Sequence, residues 1–262
     1  MSELVAGSAV VTGGGSGIGR AIALALARAG APVTVVDLLP EGGTATVETI
    51  AGAGGKACFV AADVSRGEDV DRAITTAVAS LGPLGILVNA AGILDGYAPV
   101  EEMSPVLWER VIAINLTGTF LACRRALAEM LPAGSGRIIN LASVAGLVGS
   151  GGGPAYTASK HGVIGLTRQL AITYAERGVT VNAICPGAVM TDLRANSTRI
   201  LGPVAPVMRG VGGDDAAVRA ITPAGRRGTV EEIAEAARYL ASSSGGYVTG
   251  HTLVVDGGWT AR

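Results

Sequence analysis

Residues 8–37 read SAVVTGGGSGIGRAIALALARAGAPVTVVD, and the succession of residue types in them decides the fold. Residues 8–12 (SAVVT) form a short, β-branched apolar run of the kind that makes a buried strand. Glycine then occupies five of the seven positions 13–19. Residues 18–29 are rich in Ala and Leu and read as a helix stopped by Gly30 and Pro32. Residues 33–37 (VTVVD) are a second β-branched run. Strand, glycine turn, helix and strand in this order make a βαβ unit with two parallel strands.

The turn follows the spacing T-G-x-x-x-G-x-G, with Gly13, Gly17 and Gly19 at the glycine positions, and not the strict G-x-G-x-x-G. Glycine tolerates the positive φ a tight turn requires. Without side chains, the backbone N–H groups around Gly15, Ser16 and Ile18 can approach an anion at the positive end of a helix. A glycine string alone does not separate a plain turn from a phosphate cradle; its place between strand and helix favours the cradle. Asp37 ends the second strand, where a dinucleotide fold meets the adenosine ribose. A carboxylate there accepts from the ribose hydroxyls and repels a 2′-phosphate. Neither Ser16 nor Leu38 is basic, so NAD is expected rather than NADP.

The alternation continues outward. Further strands are expected at 57–62, 85–89, 137–142, 179–184 and 252–255, and further helices at 41–53, 67–80, 105–130, 155–177 and 230–241, with Ser65 a candidate cap for the second of these. Continuous apolar strands alternating with helices imply an α/β, doubly wound parallel sheet covered on both faces. No composition break divides the chain, so 1–262 is expected to be a single dinucleotide-binding and catalytic domain. Residues 186–228 break the rhythm. They are rich in Gly and Pro, show no clear strand, and read as a substrate-binding loop or lid. Asp63-Val64 after the third strand suits an adenine contact or a cap at the start of a helix. Asn89-Ala90-Ala91-Gly92 after the fourth are small enough to admit a cofactor close to the backbone.

Composition narrows the class. The 262 residues carry a net charge of −1 and 3% aromatics, which argues against a nucleic-acid footprint or a base-stacking platform. The 40 glycines lack a period of three, so collagen is excluded. Cys58, Cys123 and Cys185 are widely spaced with no C-x-x-C pair, as expected of buried thiols in a reducing compartment. His161 and His251 are far apart, and no metal site is expected. No signal peptide or membrane span is read from the sequence, so the expected setting is cytoplasmic.

Tyr156 and Lys160 lie four residues apart in YTASK, on one face of a helix. An ammonium near a phenol lowers its pKa, so the phenol can exchange a proton with an alcohol or ketone. Five tyrosines and two lysines in the chain make the chance expectation of Tyr-x-x-x-Lys about 0.04. Ser143, just past the fifth strand, is a candidate to hold the substrate oxygen, though a turn serine would look the same. Asn115 interrupts the apolar run VIAIN and needs buried partners. It reads either as a satisfied core amide or as the holder of a water leading to Lys160.

Taken together, TGGGSGIG at 12–19, Asp37, Asp63, NAAG at 89–92, Asn115, Ser143, YTASK at 156–160, and Pro186-Gly187 with Thr191 resemble the short-chain dehydrogenase/reductase family. The match spans nearly the whole chain in the family's order. The resemblance implies a seven-stranded Rossmann-like sheet and an Asn-Ser-Tyr-Lys tetrad. Tyr156 would be the general acid/base, Lys160 would lower its pKa and bond the nicotinamide ribose, Ser143 would orient the substrate, and Asn115 would support a proton-relay water. Thr191, beside Val189, would contact the nicotinamide carboxamide. The resemblance also implies a homotetramer packed through the two long helices.

Substrate contacts are expected from Ser143, Val144, Gly149, Tyr156, Met190 and Leu193, with Leu147, Val148, Val189 and Met208 as further apolar candidates. Arg194, Arg199 and Arg209 are candidates for an anionic substrate, although surface arginines are commoner. The leading reading is an NAD-dependent dehydrogenase of secondary alcohols of modest polarity. Two alternatives stay open: an NADPH-dependent 3-oxoacyl-thioester reductase, and a non-catalytic dinucleotide-binding sensor or scaffold.

Overall fold

Ser8–Thr12 (β1) pairs in parallel with Val33–Asp37 (β2) on one side and with Leu84–Asn89 (β4) on the other. The computed structural model describes residues 3–210 and 214–261. Ala57–Ala61 (β3) extends the sheet beyond β2, while Gly136–Leu141 (β5), Val179–Pro186 (β6) and Thr252–Val255 (β7) extend it beyond β4. The order is β3-β2-β1-β4-β5-β6-β7 and every pairing is parallel. Parallel strands cannot be joined by tight hairpins, so helices carry the chain back each time. The result is a seven-stranded, single Rossmann-like domain, as the sequence implies.

The helices are Gly17–Arg28 (α1), Pro40–Gly52 (α2), Gly67–Leu81 (α3), Pro105–Ile112 (α4), Gly118–Ala133 (α5), Pro154–Tyr174 (α6), Leu193–Leu201 (α7), Asp215–Ile221 (α8) and Val230–Ala241 (α9). The strands feed two cores with the period of two that a pleat dictates. Val10 and Ile138 point to one face, where α3, α4, α5 and α6 pack. Ala9, Val11, Ile139 and Leu141 point to the other, against α1, α2 and α9.

Residues 105–133 run as one helical stretch of 29 residues, long and apolar enough to cross a membrane. Val111, Ala122, Cys123, Ala126, Leu127 and Met130 are instead buried in the domain core, so it is a core helix. One π-helical turn, Ala113–Thr117, joins α4 to α5. Such wide turns inside helices recur at functional sites.

Two expectations need correction. Ser65 does not cap α3: Arg66 is the N-cap residue, and the Ser65 hydroxyl donates to Asp63 Oδ1 at 2.6 Å. Residues 186–228 are not a loop throughout, because α7 and α8 form within them; residues 211–213 of that segment lie outside the described residues. The helix α8 starts where the Asp214 carboxylate accepts from the N–H groups of Ala216 and Ala217, a local cap.

Candidate active site

The chain reverses direction across the sheet between β1 and β4, and in such folds the crevice at the carboxyl ends of the strands binds ligands. A cleft lies there. It is lined by Gly13, Ser16, Gly17, Ile18 and Gly19 from the glycine turn, by Asp37 and Leu38, and by Asp63 and Val64. Ala90, Ala91 and Gly92 come next, then Ser143, Tyr156 and Lys160, and finally Pro186, Gly187, Val189, Thr191 and Leu193. Residues as far apart in sequence as Gly13 and Leu193 thus converge on one site.

The turn is glycine by necessity. Gly13 adopts φ +66°, and a Cβ there would sit 2.7 Å from the Ala91 nitrogen. A Cβ on Gly19 would overlap the Gly13 carbonyl oxygen. The first turn of α1 has no side-chain cap and no acidic residue, so its N–H groups stay available to an anion. Asp37 is fixed rather than free. Its Oδ2 accepts from the Gly15 N–H at 2.9 Å and its Oδ1 from the Leu39 N–H at 3.0 Å. Gly15 therefore does not line the cleft; it anchors the carboxylate that does. A dinucleotide fits this arrangement: an unfilled glycine cradle for the pyrophosphate and a held carboxylate for a ribose.

Asp63 is partly committed elsewhere. It accepts from the Ser65 N–H and hydroxyl, and it pairs with Arg110 at 3.0 Å. Burial works to raise its pKa, but these bonds outweigh it and hold the carboxyl below the usual range. Asn89 departs from expectation. It is buried behind the cleft, and its Nδ2 donates to Asn140 Oδ1 at 2.9 Å and to Cys123 Sγ at 3.3 Å. The amide nitrogen is thus tied to α5 and β5, while the buried Oδ1 has no partner among the described residues.

At the other end of the cleft, Tyr156 and Lys160 sit in α6, both buried. Lys160 Nζ lies 5.5 Å from the Tyr156 ring centroid and donates to the Leu141 carbonyl at 2.7 Å. Desolvation lowers the ammonium to about 8. The phenol differs from the sequence expectation. Burial pushes its pKa well above that of a free tyrosine, and only the hydrogen bond from Ser143 pulls it back. The Lys160 ammonium is committed to a carbonyl and does not overcome the desolvation. Ser143 is buried, and its Oγ also accepts from the Ala145 N–H at 3.2 Å.

Asn115 occupies the π-helical turn and is fully bonded. Its Oδ1 accepts from the Ile93 N–H at 2.9 Å, and its Nδ2 donates to the Ile93 carbonyl at 3.0 Å and to Ser159 Oγ at 3.2 Å. The side chain clamps the segment after β4 beside Lys160.

On the substrate side, Tyr156 packs with Leu94 and Ala145, flanked by Leu193 and Met208. Three residues expected at the substrate are not among those lining the cleft. Met190 is 70% exposed, Gly149 is exposed, and Val144 is buried in the short helical turn after β5. The three arginines are engaged: Arg194 with the carbonyls of Arg209 and Gly210, Arg199 with Glu41, and Arg209 with Glu102. Cys123 and Cys185 are pushed up by burial to about 12 and about 11, so both are protonated thiols.

Sequence reasoning missed Leu39, Ala62, Ile114, Leu141 and Ala142 as cleft residues, whereas Ile93, Asn196 and Ile200 lie in stretches already expected at the substrate. Leu39 was reachable as a neighbour of Asp37-Leu38. The bond of Asn196 to Ser16 Oγ, 3.0 Å, was not, because it spans 180 residues.

Residues 8–200 match the family model described as short chain dehydrogenase. The chain is 41% identical over 255 residues to 3beta-hydroxysteroid dehydrogenase 2 of Eggerthella lenta, covering 97% of this chain and 95% of that protein. It is 37% identical over 254 residues to cyclohexanol dehydrogenase of Acinetobacter sp. strain SE19, covering 97% and 95%. Among solved structures, one described as an NAD(P)-dependent gluconate 5-dehydrogenase of Beutenbergia cavernae, with NADP bound at low occupancy, superposes with a TM-score of 0.86 at 41% identity, covering 99% of each chain.

Proposed function

The chain belongs to the short-chain dehydrogenase family, and on that premise we propose that it is an NAD-dependent dehydrogenase of secondary alcohols, acting also as a ketone reductase. One observation carries the reading: Ser143, Tyr156 and Lys160 line the same cleft as the glycine turn and Asp37. In the proposal the turn and the α1 N-terminus hold the pyrophosphate, Asp37 the adenosine ribose, and Leu38, Asp63 and Val64 the adenine. Lys160 and Tyr156 meet the nicotinamide ribose, and Pro186, Gly187, Val189 and Thr191 flank the nicotinamide.

The dinucleotide, when bound, supplies the hydride-accepting nicotinamide and, in its oxidised form, a positive charge beside the phenol. The chain supplies the proton chemistry. Ser143 holds the substrate oxygen. Burial keeps the Tyr156 phenol protonated, ready to donate during ketone reduction. Alcohol oxidation needs the phenolate, which the Ser143 bond and nearby positive charge favour. The Lys160 ammonium, lowered to about 8, is the residue through which that proton can be balanced near neutral pH. The apolar packing of Leu94, Leu193 and Met208 around Tyr156 favours substrates of modest polarity.

NAD is preferred in this reading because both Asp37 oxygens are fixed by backbone N–H groups, so the carboxylate cannot turn away from a 2′-phosphate. The NADP in the Beutenbergia cavernae structure favours the other coenzyme. Initial rates with NAD and NADP across cyclic, aliphatic and aryl secondary alcohols and sugars decide between them. We expect kcat/KM to favour NAD, and Asp37→Ser to cut that preference by about tenfold or more. Preference for NADP in the wild type refutes the coenzyme assignment. Tyr156→Phe should lower kcat by roughly 10²- to 10⁴-fold while NADH fluorescence reports retained binding. Undiminished turnover in that variant refutes the mechanism.

The proposed assembly is a cytoplasmic homotetramer. Val106, Trp108 and Phe120 on α4 and α5, and Ile172 on α6, are exposed apolar side chains on the two long helices. Light scattering on the purified chain tests it; a monomer at micromolar concentration refutes it.

A further inference from the structure

We propose that Asp95 is a positioning residue for Tyr156: a carboxylate, delivered by the loop after β4, that caps α6 where the helix's own first residue cannot. The inference rests on Tyr156 as the proton-transferring group.

Asp95 is completely buried. Among the described residues its carboxylate forms no salt bridge, and its partners are backbone N–H groups. Oδ2 accepts from the Tyr156 N–H at 2.9 Å; Oδ1 accepts from the Gly153 N–H at 3.0 Å and from the Tyr97 N–H at 3.2 Å. Gly153 is the N-cap residue of α6, and Tyr156 is its third helical residue. In an ordinary cap, the side chain of the N-cap residue accepts the N–H of the second or third helical residue. Gly153 has no side chain, and Asp95 makes that bond from 61 residues away. The substitution is mutual: a Cβ on Gly153 would lie 2.7 Å from both Asp95 oxygens. Glycine there is the condition for the carboxylate to enter.

A buried anion without a counter-ion is costly unless strongly hydrogen-bonded. Here the helix N-terminus supplies both donors and a positive partial charge. The same loop makes a second tie, since the Tyr97 hydroxyl donates to the Gly151 carbonyl at 2.8 Å. Tyr97 holds a left-handed φ of +57° to do so, a strain that surrounding contacts must sustain. Residues 95–97 therefore pin the segment 151–156 at two points. The consequence reaches the phenol through geometry and through charge. Asp95, Tyr97 and Cys185 face Tyr156 and work to raise its pKa, whereas Ser143 lowers it and Lys160 stacks on its ring.

The test is Asp95→Asn, assayed in the full-length enzyme with NAD and the panel alcohol giving the fastest wild-type turnover. Asparagine matches the size of aspartate but replaces one acceptor by a donor and removes the charge. We expect the pH-independent kcat to fall by about 30-fold or more, with KM for NAD within about threefold of wild type. The acid limb of the kcat profile for alcohol oxidation should move to lower pH, because removing a negative charge favours the phenolate. A role in folding alone would not shift that limb. Should Asp95→Asn not fold, Gly153→Ala displaces the intact carboxylate and is expected to lower kcat similarly. Tyr97→Phe, which removes the second tie but keeps the cap, should lower kcat by less than Asp95→Asn does. Wild-type kcat and an unmoved acid limb in Asp95→Asn, or in its absence wild-type kcat in Gly153→Ala, overturn the inference. If Tyr156→Phe lowers kcat as expected while these variants behave as wild type, only this inference fails; if Tyr156→Phe is fully active, the functional reading fails first.

Discussion

The glycine turn at 13–19 and the segment at 187–204 face each other across one cleft, and they are held by opposite means. The turn is fixed by backbone against backbone. A Cβ on Gly13 would meet the Ala91 backbone, and one on Gly19 the Gly13 carbonyl. The opposite segment is fixed by side chains that reach across the sequence. Asn196 donates to Ser16, Ser197 Oγ accepts from the Leu94 N–H at 2.9 Å, and Arg199 pairs with Glu41. Steric exclusion leaves no alternative conformation, whereas three polar bonds, only one of them buried, leave several. In the proposed site, the wall formed by the turn is thus rigid, and the opposite wall, which flanks both nicotinamide and substrate, is adjustable.

The sharpest way to break this contrast is Gly19→Ala. The added methyl overlaps the Gly13 carbonyl, so dinucleotide binding should weaken by at least about 100-fold, roughly 3 kcal/mol, as read by NADH fluorescence titration. Near-native affinity would mean that the turn is not sterically determined.

Lys160 stands between the two walls. Its ammonium is depressed to about 8 by burial, from the ordinary 10.5. Between these values the unfolded chain binds the proton and the folded chain does not, so this residue's contribution to stability rises with pH across that window. Below it, folding carries the full desolvation cost. Lys160→Met should therefore be more stable than wild type at pH 7, on the order of 2 kcal/mol, less what the orphaned Leu141 carbonyl costs. The margin should close towards pH 10.5. Urea melts at three pH values check it, and a constant difference would contradict it.

On the adjustable wall the effects should be smaller. Asn196→Ala removes one hydrogen bond, about 1 kcal/mol, and should raise KM for the dinucleotide about fivefold. Arg199→Ala breaks a pair whose side chains are 57% and 71% exposed, so rates within about twofold of wild type are expected. A larger loss from Arg199 than from Asn196 would mean that the wall depends on charge and not on the bond to the turn.

The same contrast explains what could be read from the sequence. Val33–Asp37, Val230–Ala241 and Thr252–Val255 form over the expected residues, because β-branched runs and helical apolar stripes carry local information. The glycine turn and the Tyr156–Lys160 spacing were legible for the same reason. The helix α7, LRANSTRIL, was not: it has little apolar stripe, and its bonds to Ser16, Leu94 and Glu41 are long-range. Asn89 belongs to a recognisable motif, yet its amide is taken by Asn140, 51 residues on. Met190 has the chemistry of a pocket residue, but past β6 it stands 70% exposed and outside the cleft lining. Asp95 left a trace in the sequence, one acid in the apolar run GILDGYAPV. What the trace meant depended on a glycine 58 residues away.

The π-helical turn at Ala113–Thr117 sets a rule for the length of the chain around it. Each residue of a helix turns the succeeding chain by about 100°. A one-residue deletion at the start of α5 would therefore swing Cys123, Ala126, Leu127 and Met130 out of register with the sheet they cover. The wide turn already holds one residue beyond regular winding, so losing that residue would leave an uninterrupted α-helix with its core face kept. Its cost would fall instead on the grip of Asn115 on the Ile93 backbone.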